Sequence, residues 1–266
     1  MSHKKITLSD IKSHKKTDAP FVCLTSYTAP MTKILDPHCD MLLVGDSLGM
    51  VVYGMDNTIG VTLDMMINHG RAVANTARHA FVVVDMPYGT YEDDPALALE
   101  NARRLMEETG CDALKLEVNK SLAPTVELLA RHDIPVQAHI GLCPQSVEKE
   151  GGYKIKGKTP EQTASLIEDA IALERAGAFS ILIEGTKEAA SRQIAAAVHV
   201  PTVGIGASPA CDGQILVVDD MLGMLTDHTP KFVKKYSQLA DVIGEAVAGY
   251  ANDVRARKFP DEKYVY

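Results

Sequence analysis

The chain has no tryptophan, no Cys-x-x-Cys pair, no apolar run of bilayer-spanning length and no excess of basic residues. Its five cysteines, Cys23, Cys39, Cys111, Cys143 and Cys211, are scattered and odd in number. That usage argues against a disulfide framework and against a thiolate zinc site; reduced, mostly buried thiols in a cytoplasmic protein are expected instead. With no stretch approaching about 20 apolar residues, no membrane span is expected. The basic opening segment, MSHKKITLSDIKSHKK, is followed by no apolar run, so a signal peptide is not expected either. A formal net charge of −8 argues against a nucleic-acid groove or an anionic membrane surface as the main partner. It leaves room for an acidic small-molecule substrate, because a few local Lys or Arg side chains override the net field. The missing tryptophan excludes little, since 46% of the residues are hydrophobic, enough for a sizeable core.

What is present is an alternation of short β-branched runs with helical stretches. Candidate strands are Phe21–Ser26, Met41–Asp46, Phe81–Asp85, Ala113–Glu117, Pro135–Ile140, Ser180–Glu184, Thr202–Ile205 and Gln214–Val218. Most are almost continuously apolar, as strands are when both faces are covered. Between them Leu63–Arg78, Pro95–Thr109, Leu122–Arg131 and Thr163–Ala176 carry apolar residues at helical spacing. Pro95 after Asp93-Asp94 and Thr159-Pro160-Glu161 are helix-start signatures, and Gly110 and Gly177 are stops. Strand–helix alternation implies a parallel sheet. Eight strands in 266 residues imply an α/β fold of (βα)8 TIM-barrel type, with an N-terminal helical segment and C-terminal helices. An open doubly wound sheet is the alternative.

No linker or low-complexity tract divides the chain, so one domain over 1–266 is expected. Two long stretches lack a clear element, Gly45–Thr62 and Gly141–Thr159, and loops of that length in a compact domain are commonly functional. Both would lie at the C-terminal face of the barrel. Gly151-Gly152-Tyr153-Lys154 reads either as part of a movable lid or as a plain surface loop. His228 with Lys231, Lys234 and Lys235 reads as a solvated helix start.

Polar residues collect at the strand ends: Asp46, Asp85, Lys115 with Glu117, His139 and Glu184. Singly, each is as well explained by a cap or a turn. Their recurrence matters, because a parallel barrel brings all strand C-termini to one face. Lys115 and Glu117, two apart on a strand, share a face. Carboxylates crowded there are costly unless a cation sits among them, and an all-oxygen set favours a hard ion such as magnesium. A metal-free salt-bridge network neutralised by Lys115 is the alternative.

The strings around these residues carry a family resemblance. MLLVGDSLGM (41–50), AHIGLCPQS (138–146), GGYKIKGK (151–158), GIGA (204–207), DGQILV (212–217) and HTPKF (228–232) are together similar to ketopantoate hydroxymethyltransferases. The resemblance implies a magnesium-dependent barrel of the phosphoenolpyruvate/pyruvate-domain kind, acting in pantothenate and coenzyme A biosynthesis. Its reaction would pass a one-carbon unit from 5,10-methylenetetrahydrofolate to 3-methyl-2-oxobutanoate, giving 2-dehydropantoate and tetrahydrofolate. It implies Asp46, Asp85 and Glu117 as magnesium-site residues, and Asp46, Ser47, Asp85, Lys115 and His139 as contacts to the keto acid. It implies Glu184 as the proton acceptor and a homo-oligomer, a decamer by resemblance. The chain departs from the usual pattern at Ile59-Gly60, Gly89 and Ser208, none of which removes a chemical group.

Two other readings stand beside it. One is another magnesium–enolate barrel, related to isocitrate lyase or phosphoenolpyruvate mutase; those lyases rely on a catalytic cysteine motif, and Cys143 is not in such a setting. The other is a silent barrel that binds a ligand or serves assembly. A silent barrel predicts a lost base or ligand, whereas every expected carboxylate is present.

Overall fold

The apolar runs become strands because the barrel interior covers one face and helices the other. The computed structural model describes residues 4–17, 19–225 and 229–266. Its strands are β1 (Phe21–Thr25), β2 (Met41–Val44), β3 (Phe81–Asp85), β4 (Ala113–Glu117), β5 (Val136–Gly141), β6 (Ser180–Glu184), β7 (Thr202–Ile205) and β8 (Gly213–Leu216). Each pairs in parallel with the next, and β8 pairs back with β1 to close an eight-stranded barrel. The closed barrel therefore replaces the open-sheet alternative.

Several boundaries move. β2 ends at Val44, which leaves Asp46 and Ser47 in the turn that follows. Val218, expected to close the last strand, opens a short helix, Val218–Leu222. The helix expected over Leu63–Arg78 ends at Ala74, and the fourth runs Pro160–Arg175 behind an N-cap hydrogen bond to Thr159. Helices at Ala29–Leu35 and Glu188–Ala197 escaped the periodicity. Lys231, Lys234 and Lys235 do not start a helix, which begins only at Leu239; His228 lies outside the described residues.

Contacts divide the chain into two compact units, Met1–Val217 and Val218–Tyr266. In the first, inward side chains alternate along each strand and fill the barrel in layers. Phe21, Phe81 and Phe179 pack with Cys23, Met41, Val83, Ala113, Val203 and Ile215. Ile11, fully buried, joins that cluster from the N-terminal helix Leu8–Ser13. That helix starts on a capping box between Thr7 and Asp10, and Lys5 ties its approach to Ala80 O (2.6 Å) and Asp112 Oδ2 (2.8 Å). In the second unit the helix Leu239–Arg255 has no buried residue. No helix among the described residues is long and apolar enough to cross a membrane.

Candidate active site

Period-two alternation decides which polar groups enter the barrel mouth. In register, Asp85 on β3 stands beside Lys115 on β4, Glu117 beside His139 on β5, and Gly141 beside Glu184 on β6. Gly141 has φ +96°, and a Cβ there would overlap the Glu184 carbonyl and sit 2.6 Å from Thr186 Oγ1. Only glycine lets β5 pass so close to the end of β6. At the other side of the mouth, the turn after β2 lets the Asp46 N–H donate to Asp85 Oδ2 at 2.9 Å.

The side chains form one connected set. Lys115 Nζ lies 2.8 Å from Asp85 Oδ1, an ion pair set at an angle outside a directed hydrogen bond. The same ammonium is 3.3 Å from His139 Nδ1, and that nitrogen is 3.6 Å from Glu117 Oε1. His139 Nε2 lies 3.3 Å from Glu184 Oε2, again off the hydrogen-bond line. Ser47 Oγ shares a hydrogen bond with Tyr27 OH at 2.8 Å. Every residue singled out from the strand ends, together with Ser47, thus lies at the mouth. Asp46, Asp85, Lys115, Glu117 and His139 are buried; Glu184 keeps 19% of its side chain exposed.

Burial sets the proton affinities. It pushes Asp46 above the ordinary carboxylate range against the pull of Lys115, and Asp85 up to about 7 against the same pull. Glu117 is pushed well above that range by burial and by the nearby Asp46. Burial would lower the Lys115 ammonium, but Asp85, Glu117 and Asp46 outweigh it and hold it above the usual lysine value. Burial and then the Lys115 charge pull His139 below the usual imidazole value.

Buried carboxylates also serve as anchors elsewhere in this barrel. Asp36 accepts backbone N–H bonds from Arg78, His79 and Ala80, which uses up its oxygens. Asp85 Oδ1 and Glu117 Oε1 are buried with no directed hydrogen-bond partner. One ammonium facing three carboxylates leaves negative charge for protons or a cation to balance. Among the described residues no three His, Cys, Asp or Glu side chains stand as a ready-made metal cluster. An all-oxygen set of this kind fits a hard cation that takes one or two carboxylates and completes its shell with water and substrate oxygens. Beside Glu117 and Gln145 a cavity of about 490 Å³ opens toward Tyr88, Asn119, Lys149 and Lys156.

The profile of the ketopantoate hydroxymethyltransferase family matches residues 5–262. The chain belongs to the ketopantoate hydroxymethyltransferase family. It is 52% identical over its full length to the 3-methyl-2-oxobutanoate hydroxymethyltransferase of Rhizobium etli, covering 97% of that protein. The enzyme of the same name from Phenylobacterium zucineum is 54% identical over 99% of the chain and 95% of its own. As a member of this family the chain is a hydroxymethyltransferase, which sets aside the silent barrel. Solved structures place the fold among its distant neighbours. A phosphonomutase-like protein of Burkholderia cenocepacia superposes with TM-score 0.64 at 15% identity, over 79% of this chain and 92% of that one. A 2,3-dimethylmalate lyase of the PEP mutase/isocitrate lyase superfamily gives 0.57 at 18% identity, over 98% and 92%. The lyase and mutase reading was thus right about the barrel, while the family lies elsewhere.

Two residues at the mouth of this hydroxymethyltransferase were not singled out from the sequence, although Gln145 lies inside the AHIGLCPQS string. Gln145 and Tyr91 are neutral and sit in loops beyond the strand ends, yet both are buried against the carboxylates. The GGYKIKGK segment follows a short helix, Val147–Glu150, that ends on Gly151 in the left-handed region. Its far end is tied down: Lys156 N–H donates to Gly185 O, and Lys187 N–H donates to Lys156 O.

Proposed function

We propose that the chain transfers a one-carbon unit from 5,10-methylenetetrahydrofolate to 3-methyl-2-oxobutanoate in the cytoplasm, as the first step of the pantoate branch of pantothenate synthesis. Family membership and the names of the full-length relatives support the reaction. The observation that carries the residue assignment is that the His139 ring stands between Glu117 and Glu184, facing one through Nδ1 and the other through Nε2.

In this reading Asp46, Asp85 and Glu117 would hold magnesium, and the positive charge it supplies would ease the loss of the weakly acidic C3 proton. Lys115 adds a second positive charge beside the keto acid, and Ser47, paired with Tyr27, presents a hydroxyl to its carboxylate. Glu184 accepts the C3 proton. The carbanion carbon then forms a bond to the methylene carbon of the folate donor. For this, one methylene–nitrogen bond of the donor first opens as its nitrogen takes a proton, leaving an iminium carbon for the carbanion to add to. Water oxygen then replaces the second nitrogen, which takes the remaining water hydrogen, and the proton lost from C3 makes good the one taken by the first nitrogen, so atoms and charge balance. Purified protein given both substrates and magnesium is expected to form 2-dehydropantoate and tetrahydrofolate in equal amounts. Consumption of the folate without a new C–C bond would overturn the assignment.

The same reading includes a homo-oligomer, a decamer by family resemblance. Supporting it, the helix Leu239–Arg255 displays Val242, Ile243, Val247, Tyr250 and Val254, each at least 42% exposed. A soluble chain does not ordinarily leave such a stripe bare, and another copy of it would cover it.

A further inference from the structure

Gln145 lies in the 3-10 turn Pro144–Ser146, just past β5, and is 3% exposed. Its amide nitrogen donates to Met86 O at 3.0 Å and to Asp46 Oδ2 at 2.8 Å. The Met86 carbonyl can only accept, so the nitrogen must face it, and its second hydrogen then reaches Asp46. The amide oxygen is left facing Tyr91 OH at 2.6 Å. That hydroxyl in turn accepts from the Glu117 N–H at 3.1 Å. Finally the backbone N–H of Gln145 donates to Glu117 Oε2 at 2.9 Å. Pro144, lacking an N–H, leaves Gln145 the first donor of the turn.

We infer that Gln145 is a positioning residue that fixes two carboxylates from different strands, Asp46 and Glu117, as one preformed cation-binding pair, with Tyr91 locking the orientation of its amide. The inference rests on the magnesium reading of those carboxylates and goes beyond it. Each carboxylate has one oxygen held by Gln145, Asp46 by the side chain and Glu117 by the backbone. Glu117 Oε1 is left without a directed partner. Like-charged groups separate unless something holds them, and a neutral amide does so without adding charge. A buried glutamine that merely satisfies its own hydrogen bonds would touch stability alone.

The test titrates the free protein with Mn2+ followed by electron paramagnetic resonance, alongside thermal melting. Gln145→Leu, of similar volume, is expected to weaken Mn2+ binding by about 10- to 100-fold. Tyr91→Phe, which removes one oxygen, should weaken it less, and the two losses should be non-additive in the double variant because both act through one amide. The magnesium half-saturation for C3 exchange should rise more than the rate at saturating magnesium falls. Wild-type Mn2+ affinity in a folded Gln145→Leu variant overturns the inference, as does wild-type affinity in Tyr91→Phe should Gln145→Leu not fold. Wild-type protein that binds no Mn2+ instead overturns the magnesium reading itself.

Discussion

His139 Nε2 lies 3.3 Å from Glu184 Oε2, with the opposite ring nitrogen 3.3 Å from Lys115 Nζ. A lysine ammonium has hydrogens only to give, so His139 Nδ1 must accept. The ring, kept neutral by burial and the lysine charge, then carries its proton on Nε2, on the side that faces Glu184. Nitrogen-15 NMR of histidine-labelled protein should show the Nε2–H tautomer for this residue. A ring protonated at Nδ1 alone would contradict the arrangement. His139→Leu, which lets the Glu184 carboxylate wander, should slow C3 exchange by about 10²-fold, while His139→Gln, which keeps a donor near that position, should recover part of the loss.

Lys115 Nζ is the cation paired with Asp85, at 2.8 Å, and both side chains are at most 5% exposed. Removing one member of such a pair strands the other. Lys115→Met should therefore lower stability by about 3–5 kcal/mol in urea denaturation at pH 8. A loss below about 1 kcal/mol would mean that the pair is solvated and the buried-charge account is wrong. Asp85→Asn still leaves Lys115 facing Glu117 and Asp46, and should instead act mainly on metal and keto-acid binding.

The glycines separate strain from site geometry. Gly110 has φ +71° with nothing near a would-be Cβ, and it ends the helix Pro95–Thr109 far from the mouth. Gly110→Ala should cost about 1 kcal/mol and leave C3 exchange alone. Gly141→Ala carries the same kind of backbone strain and also pushes on the Glu184 carbonyl. It should cost about 1–3 kcal/mol and depress exchange as well. Equal exchange in the two variants would show that Glu184 is not held by this close approach.

The strand ends were legible because a parallel barrel turns sequence position into location: an acidic residue after an apolar run can lie only at one face. Asp85, Glu117 and Glu184 follow that rule directly. Asp46 followed it by a different route, from a turn past Val44 and not from the strand. The helix Glu188–Ala197 was hidden by its composition, since alanine makes a weak apolar stripe; a C-terminal helix was expected, but Gly244 and Gly249 in its interior blurred the bounds Leu239–Arg255. Gln145 and Tyr91 could not be found by charge or period. Their significance lies in contacts with Asp46 and Glu117 that span loops far apart in the chain.

The exposed apolar stripe of Leu239–Arg255 gives a prediction independent of the chemistry. Val247, 59% exposed, is at its centre. Val247→Glu should lower the mass seen in sedimentation equilibrium, with the thermal midpoint falling as the assembly dissociates. An unchanged mass would place any interface elsewhere.

The most direct test of the account is the exchange of the C3 hydrogen of deuterated 3-methyl-2-oxobutanoate with solvent, followed by proton NMR without folate. Wild-type protein should catalyse it when magnesium is present and stop when a chelator is added. Glu184→Gln should bind the keto acid and metal yet exchange about 10²- to 10⁴-fold more slowly. No exchange by the wild-type protein, or equal exchange by Glu184→Gln, would contradict the assignment of Glu184 as the base.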